Sequence, residues 1–185
     1  FISDTVKGKD YHAFILTGHA GDGKTSILVQ VLKELQYINH GEGLDRIKNY
    51  GDFMYVKDMS EIAEEQQTKV LRQSLEAPQT NQSSLLISNT GPLLNTFLRL
   101  AAYSRKMQGA SFDEEDRIEL QSKLLSQLDS NSDEEIVVEG YPFYLVNIAR
   151  LDNVSFSTQI LKKLVAEELW VPCGQCKCQE KCPIY

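Results

Sequence analysis

The residues best placed to do chemistry are Gly18-His19-Ala20-Gly21-Asp22-Gly23-Lys24-Thr25, which satisfy G-x-x-x-x-G-K-[ST] at every defined position. Glycines at these positions let the backbone curl so that successive N–H groups face one anion. A helix opening at Lys24 would add its positive N-terminal end to the same point. In such a loop Lys24 reaches the β- and γ-phosphates of a nucleotide, and the Thr25 hydroxyl takes a place beside Mg²⁺. His19, Ala20 and Asp22 occupy variable positions and are expected to act through their backbone. Asp22 is expected to turn from the phosphates, because like charges repel. With Ser26 on the first helical turn, residues 18–26 form the expected nucleotide-binding set, with ATP and Mg²⁺ as its ligands.

Phosphoryl transfer also needs a carboxylate near the metal, and often a second to polarise the attacking water. Phe53-Met54-Tyr55-Val56-Lys57-Asp58-Met59-Ser60-Glu61 is an apolar run ending in acids, the form of a Walker B strand. Asp58 is the expected Mg²⁺ ligand and Glu61 the expected base. Lys57 interrupts the run, and the short separation from Lys24 leaves little room for an intervening strand. A plain strand end with Ser60 as a helix cap is the alternative. Leu85-Leu86-Ile87-Ser88-Asn89-Thr90 is a second apolar run with a polar end. In ATPases with an extra strand between Walker A and Walker B, that position carries a polar sensor, so Asn89 joins Lys24 and Glu61 as an expected catalytic residue. The alternative is a turn before Pro92. Arg99, Arg105 and Arg150 offer no secure arginine finger, which a neighbouring copy in a homo-oligomer can also supply.

All four cysteines fall in one short segment, Cys173, Cys176, Cys178 and Cys182, spaced C-x2-C-x-C-x3-C. In a cytoplasmic protein such a cluster reads as a metal site before disulfides. Zn²⁺ is the first expectation, with an iron–sulfur cluster or no metal as the alternatives. Cys173-Gly174-Gln175-Cys176 resembles a zinc knuckle.

These residues need elements to hold them. Residues 11–17 read as a buried strand before the loop, and Ile27, Leu28, Val31, Leu32 and Leu35 give a helix from Lys24 to about Tyr37. Phe53–Val56 and Leu85–Ser88 read as further strands, and Ile136–Val138 and Phe143–Ile148 as the last two. Helices are expected over Ser60–Glu76, from Pro92 onward, over Asp113–Leu128 and over Ser157–Trp170. Alternating strands and helices favour an α/β fold with a parallel sheet covered on both faces. The expected organisation is a nucleotide-binding domain over 1–170 with a Cys-rich segment over 171–185.

Composition narrows the function classes. The chain of 185 residues is 42% hydrophobic and 24% charged, which excludes disordered and fibrous classes. The net charge of -7 argues against a surface that grips nucleic acid throughout, while a local basic groove stays open. The uncharged stretch Ser83–Leu98 contains Asn89, Gly91, Pro92 and Asn95 and is too polar to span a membrane. The N-terminus has no leader pattern, and the missing initiator Met points to a piece of a longer chain.

The segment Leu16–Thr25, the strand end Ser88-Asn89-Thr90-Gly91-Pro92 and the Cys-rich segment after Trp170 together resemble the DptF family of DNA phosphorothioation-dependent restriction proteins. The resemblance implies an AAA+-like ATPase of a bacterial defence system, working with DptG and DptH against DNA that lacks phosphorothioate marks. It carries Gly18, Gly23, Lys24 and Thr25 over as phosphate-loop residues and implies no DNA-contacting residue. Two other readings of the motifs are a P-loop kinase acting on a small molecule and an ATP-binding interaction module without turnover.

Overall fold

The computed structural model describes residues 1–39, 41–130, 134–150, 153–171 and 173. The chain forms two compact units, Phe1–Arg150 and Leu151–Tyr185. In chain order the first holds α1 (Ile2–Lys7), β1 (Ala13–Gly18), α2 (Lys24–Glu34), β2 (Ile47–Asn49) and β3 (Phe53–Val56). It continues with α3 (Glu64–Glu76), β4 (Ser83–Asn89), α4 (Thr90–Met107), α5 (Glu114–Asp129), β5 (Ile136–Val138) and β6 (Tyr141–Asn147). The strands form one sheet in the order β2-β3-β4-β1-β6-β5.

β1 is central, buried along its whole length and paired in parallel with β4 and β6. A strand covered on both faces cannot alternate apolar with polar, which is why Ala13 to Leu16 are all apolar. Alternation shows instead in which core each residue enters. Ala13 and Ile15, with Met54, Val56, Leu86, Phe143 and Leu145, pack beneath Leu71 of α3, Phe97 of α4 and Leu124 of α5. Phe14, Leu16, Tyr55, Leu85 and Ile87 face the other way, onto Val6 of α1 and Leu28, Val31 and Leu32 of α2. Helices therefore cover both faces, and the α/β expectation holds.

The sheet is mixed rather than parallel. β2 runs antiparallel to β3, and β5 antiparallel to β6. Both edge strands join their neighbours through connections too short for a crossover. Between β5 and β6, Glu139 and Gly140 both have positive φ (50° and 81°), the conformation of a tight hairpin turn. The outer edge is protected, since Lys123 Nζ donates to the Val137 carbonyl at 2.7 Å.

Several boundaries differ from the sequence expectation, each for a local reason. α2 stops at Glu34 because Gln36 adopts φ 61°, which turns Tyr37 back to stack on Tyr50 at 4.3 Å. The helix expected over Ser60–Glu76 is split into a 3-10 turn, Met59–Glu61, and α3. Asp58 caps that turn through its side chain, and Ile62 is extended. β4 begins earlier than expected, at Ser83, whose hydroxyl accepts the His12 N–H, while the Ser84 hydroxyl donates to the Ser74 carbonyl. α1 and β2 are additional elements, too short to leave a periodic signal.

In the second unit, the helix expected over Ser157–Trp170 is two, α6 (Asn153–Leu164) and α7 (Glu167–Trp170). The Trp170 indole N–H donates to the Leu164 carbonyl at 2.9 Å, satisfying a group that the end of α6 leaves free. No helix among the described residues is long and apolar enough to cross a membrane.

Candidate phosphate-binding site

The loop leaves the centre of the sheet at the C-terminal end of β1. Gly18 pairs with Asn89 across β1 and β4, and Thr17 with Ser88. β3 lies on the far side of β4, with Val56 opposite Leu86, so Asp58 emerges two residues beyond the last pair at the height of Ser88. The strand between β1 and β3 in space is thus β4, which follows β3 in sequence. That order resolves the lack of room between Lys24 and Asp58.

Residues 20–26, Asp58 and Asn89 line one cleft of about 350 Å³. Gly23 precedes α2 with φ 85°, a left-handed conformation that costs a residue with a Cβ roughly 1–2 kcal/mol. α2 has no side-chain cap and no acidic residue in its first turn. The N–H groups and dipole of that turn therefore keep their positive end toward the cleft. α5 shows the contrast: Asp113 caps it, and Glu114, Glu115 and Asp116 fill its first turn.

Lys24 is buried at 8% exposure, and its ammonium is held by two loop carbonyls, Gly18 at 3.2 Å and His19 at 2.6 Å. Carbonyl partners of this kind make a buried cation tolerable while leaving it able to exchange them for a stronger anion. Thr25 and Ser26 are exposed on the first turn of α2. Asp58 Oδ1 accepts the Ser60 N–H at 2.8 Å, and the Ser60 hydroxyl accepts the Asn89 N–H at 3.2 Å. Ser60 thereby joins the ends of β3 and β4. The hydroxyls of Thr17 and Thr90 meet at 3.1 Å beneath the loop.

Glu61 is not brought into this cleft. It is half-exposed and lies 4.0 Å from Arg46 Nε. Asp22 departs from expectation in another way: its carboxylate folds onto the loop and accepts the His19 N–H at 2.5 Å. Two of the arginines have structural partners. Arg99 contacts Glu64, Gln67 and Thr96, and Arg105 pairs with Asp116 at 2.5 Å and Glu139 at 3.8 Å. Arg150 closes the 3-10 turn Ile148–Arg150, whose Ile148 and Ala149 lie against Gly18.

A larger cleft, about 470 Å³, opens between α4 and the start of α5. Both of its arginines are already paired, Arg99 with Glu64 and Arg117 with Glu114, and the Asp113 carboxylate is engaged in capping α5.

For a divalent cation, the Thr25 hydroxyl and the Asp58 carboxylate are hard oxygen donors on one cleft. They fit Mg²⁺, which takes few protein ligands and completes its shell with water and phosphate. No group of three or more His, Cys, Asp or Glu residues arranged for a metal occurs among the described residues. Cys173 is a half-buried free thiol, and Cys176, Cys178 and Cys182 lie outside the described residues. Comparison of the chain with protein-family models, curated proteins and solved structures returns no match, so the cleft is read from its own residues.

Proposed function

We propose that the chain binds ATP with Mg²⁺ and hydrolyses it to ADP and phosphate, as an AAA+-like module of the ATPases with an extra strand between Walker A and Walker B. The observation that carries this reading is the meeting of residues 20–26, Asp58 and Asn89 in one cleft, at the ends of the adjacent strands β1, β4 and β3. On this reading the loop N–H groups and the first turn of α2 bind the β-phosphate. Lys24 exchanges the Gly18 and His19 carbonyls for β- and γ-phosphate oxygens. Thr25 and Asp58 hold Mg²⁺, whose charge offsets that of the phosphates. The Asn89 amide donates to the γ-phosphate or orients the water. That water attacks the γ-phosphorus, the bond to the bridging oxygen breaks, and its proton passes to a base. Glu61 serves as that base only after leaving Arg46.

The same ion pair favours a second reading, an ATP-binding interaction module without turnover, which measured phosphate release would exclude. The resemblance to the DptF family supplies the wider setting we infer: a cytoplasmic bacterial defence complex with DptG and DptH, acting on DNA through its partners. The cysteine segment is proposed as a Zn²⁺ knuckle within it.

The deciding experiment compares ATP affinity of the wild-type chain with that of Lys24→Ala by calorimetry. A loss of roughly 1.5–3 kcal/mol, the size of a charge-assisted hydrogen bond, is expected. Equal affinity in the two removes the phosphate-loop assignment.

A further inference from the structure

The loop contains a carboxylate that its motif does not call for, and the fold makes room for it. Asp22 Oδ2 accepts the His19 N–H at 2.5 Å, and the Asp22 N–H returns to the His19 carbonyl at 3.3 Å. Lys24 Nζ reaches the same carbonyl at 2.6 Å. The two peptide groups that flank the His19 Cα are therefore both held, the N–H of one by an anion and the C=O of the other by a cation. Gly18 is what permits this. A Cβ there would lie 2.7 Å from Asp22 Oδ2 and 2.9 Å from Ile148 Cγ1, inside contact distance. Among the described residues Asp22 belongs to no ion pair, so the bond to His19 is the contact that fixes its carboxylate.

Residues 18–23 include Gly18, Gly21 and Gly23, and glycines lose the most conformational freedom when a segment is ordered. A loop that must meet an anion with several N–H groups binds more weakly if it samples other shapes first. A side-chain bond closing such a loop on itself removes those shapes before any ligand arrives. It also places the Asp22 charge against an N–H donor, which lessens its repulsion of a phosphate.

We infer that Asp22 is a positioning residue of the phosphate loop, holding the His19 peptide so that the loop is pre-shaped for the β-phosphate of a nucleotide; this rests on the nucleotide reading above. The role needs an acceptor at this place rather than a charge. Asparagine keeps the acceptor and alanine does not.

The test is ADP affinity, measured by calorimetry with Mg²⁺, for wild type, Asp22→Ala and Asp22→Asn, alongside each melting temperature. Asp22→Ala is expected to bind about ten-fold more weakly, the effect of one hydrogen bond to a charged group. Asp22→Asn is expected to restore affinity to within about three-fold of wild type. Because Asp22 is exposed, both variants should melt within about 2 °C of wild type, which separates loop shaping from general stability. Undiminished affinity in Asp22→Ala overturns the inference, and tighter binding does so too, since the carboxylate would then be a competitor of the phosphate. Equal weakening in Asp22→Ala and Asp22→Asn overturns the acceptor role. A wild-type chain with no affinity for ADP overturns the nucleotide reading itself, and is recognised before either variant is measured.

Discussion

Among single residues, Ser60 bonds to both Asp58 and Asn89 of the cleft, although no motif marks it. Its backbone N–H is accepted by Asp58 and its hydroxyl accepts the Asn89 N–H, so one residue ties two strand ends together. Ser60→Ala leaves the Asn89 N–H without that acceptor, whereas Ser60→Thr keeps it. The expected outcome is ATP turnover reduced about ten-fold in Ser60→Ala with ADP affinity nearly unchanged, and turnover retained in Ser60→Thr. Phosphate release and calorimetry on the same preparations check it, and full turnover in Ser60→Ala would remove the clasp. At this scale the sequence was informative where chemistry is local. The loop residues, Asp58 and Asn89 reach one cleft because each sits at a strand end that the apolar runs already mark. Glu61 does not, since its place depends on Arg46, a residue that no spacing rule connects to it. The side-chain bond of Asp22 was hidden for the same kind of reason, as it depends on the curl of the loop and the bare Cα of Gly18.

Among elements, α2 and α5 present opposite N-termini. α5 is held by a capping box in which Asp113 accepts the Asp116 N–H at 3.0 Å and Asp116 accepts the Asp113 N–H at 3.2 Å. Asp113→Ala is expected to destabilise the first unit by about 1 kcal/mol, read as a lower denaturation midpoint with an unchanged slope. A shift of zero would mean that the Arg105–Asp116 pair alone secures the end of α5. Legibility at this scale followed length and periodicity. Phe53–Val56 and Ile136–Val138 matched the expected strands, since each is a short apolar or β-branched run bounded by polar residues. Helix ends were harder, because Gln36 in a left-handed conformation and Asp58 as a turn cap act through backbone geometry, which apolar spacing does not encode. β2 escaped because Ile47-Lys48-Asn49 pairs on an edge with little to bury.

In the molecule as a whole, the end of the sheet remote from the glycine-rich loop carries an aromatic group that sets an alkaline limit. Tyr37 and Tyr50 stack, Tyr55 and Phe53 adjoin them, and the Tyr37 hydroxyl donates to Asp52 at 2.5 Å. Burial pushes the Tyr55 hydroxyl up to about 12, helped by Tyr50 and Asp45. Burial and then Asp52 push Tyr37 upward as well. A tyrosine whose folded value lies above the ordinary ~10 contributes stability that is complete below about pH 10 and lost as the pH rises through the folded value. The melting temperature is therefore expected to fall between about pH 10 and pH 12, and to fall less steeply in Tyr55→Phe. Melting curves across that range check it, and parallel curves for the two proteins would count against Tyr55. The expectation of a parallel sheet missed both edges because tight connections, rather than strand composition, decide direction there. One further consequence lies in Asn89, which ends β4 and caps α4 at once. α4 has 18 residues, so it is a rod about 27 Å long that begins at the residue read as touching the γ-phosphate. Were α4 to tilt by about 5° about that end, the exposed Met107 would move through about 2 Å, so the far end of the helix is where a rearrangement at Asn89 would register most.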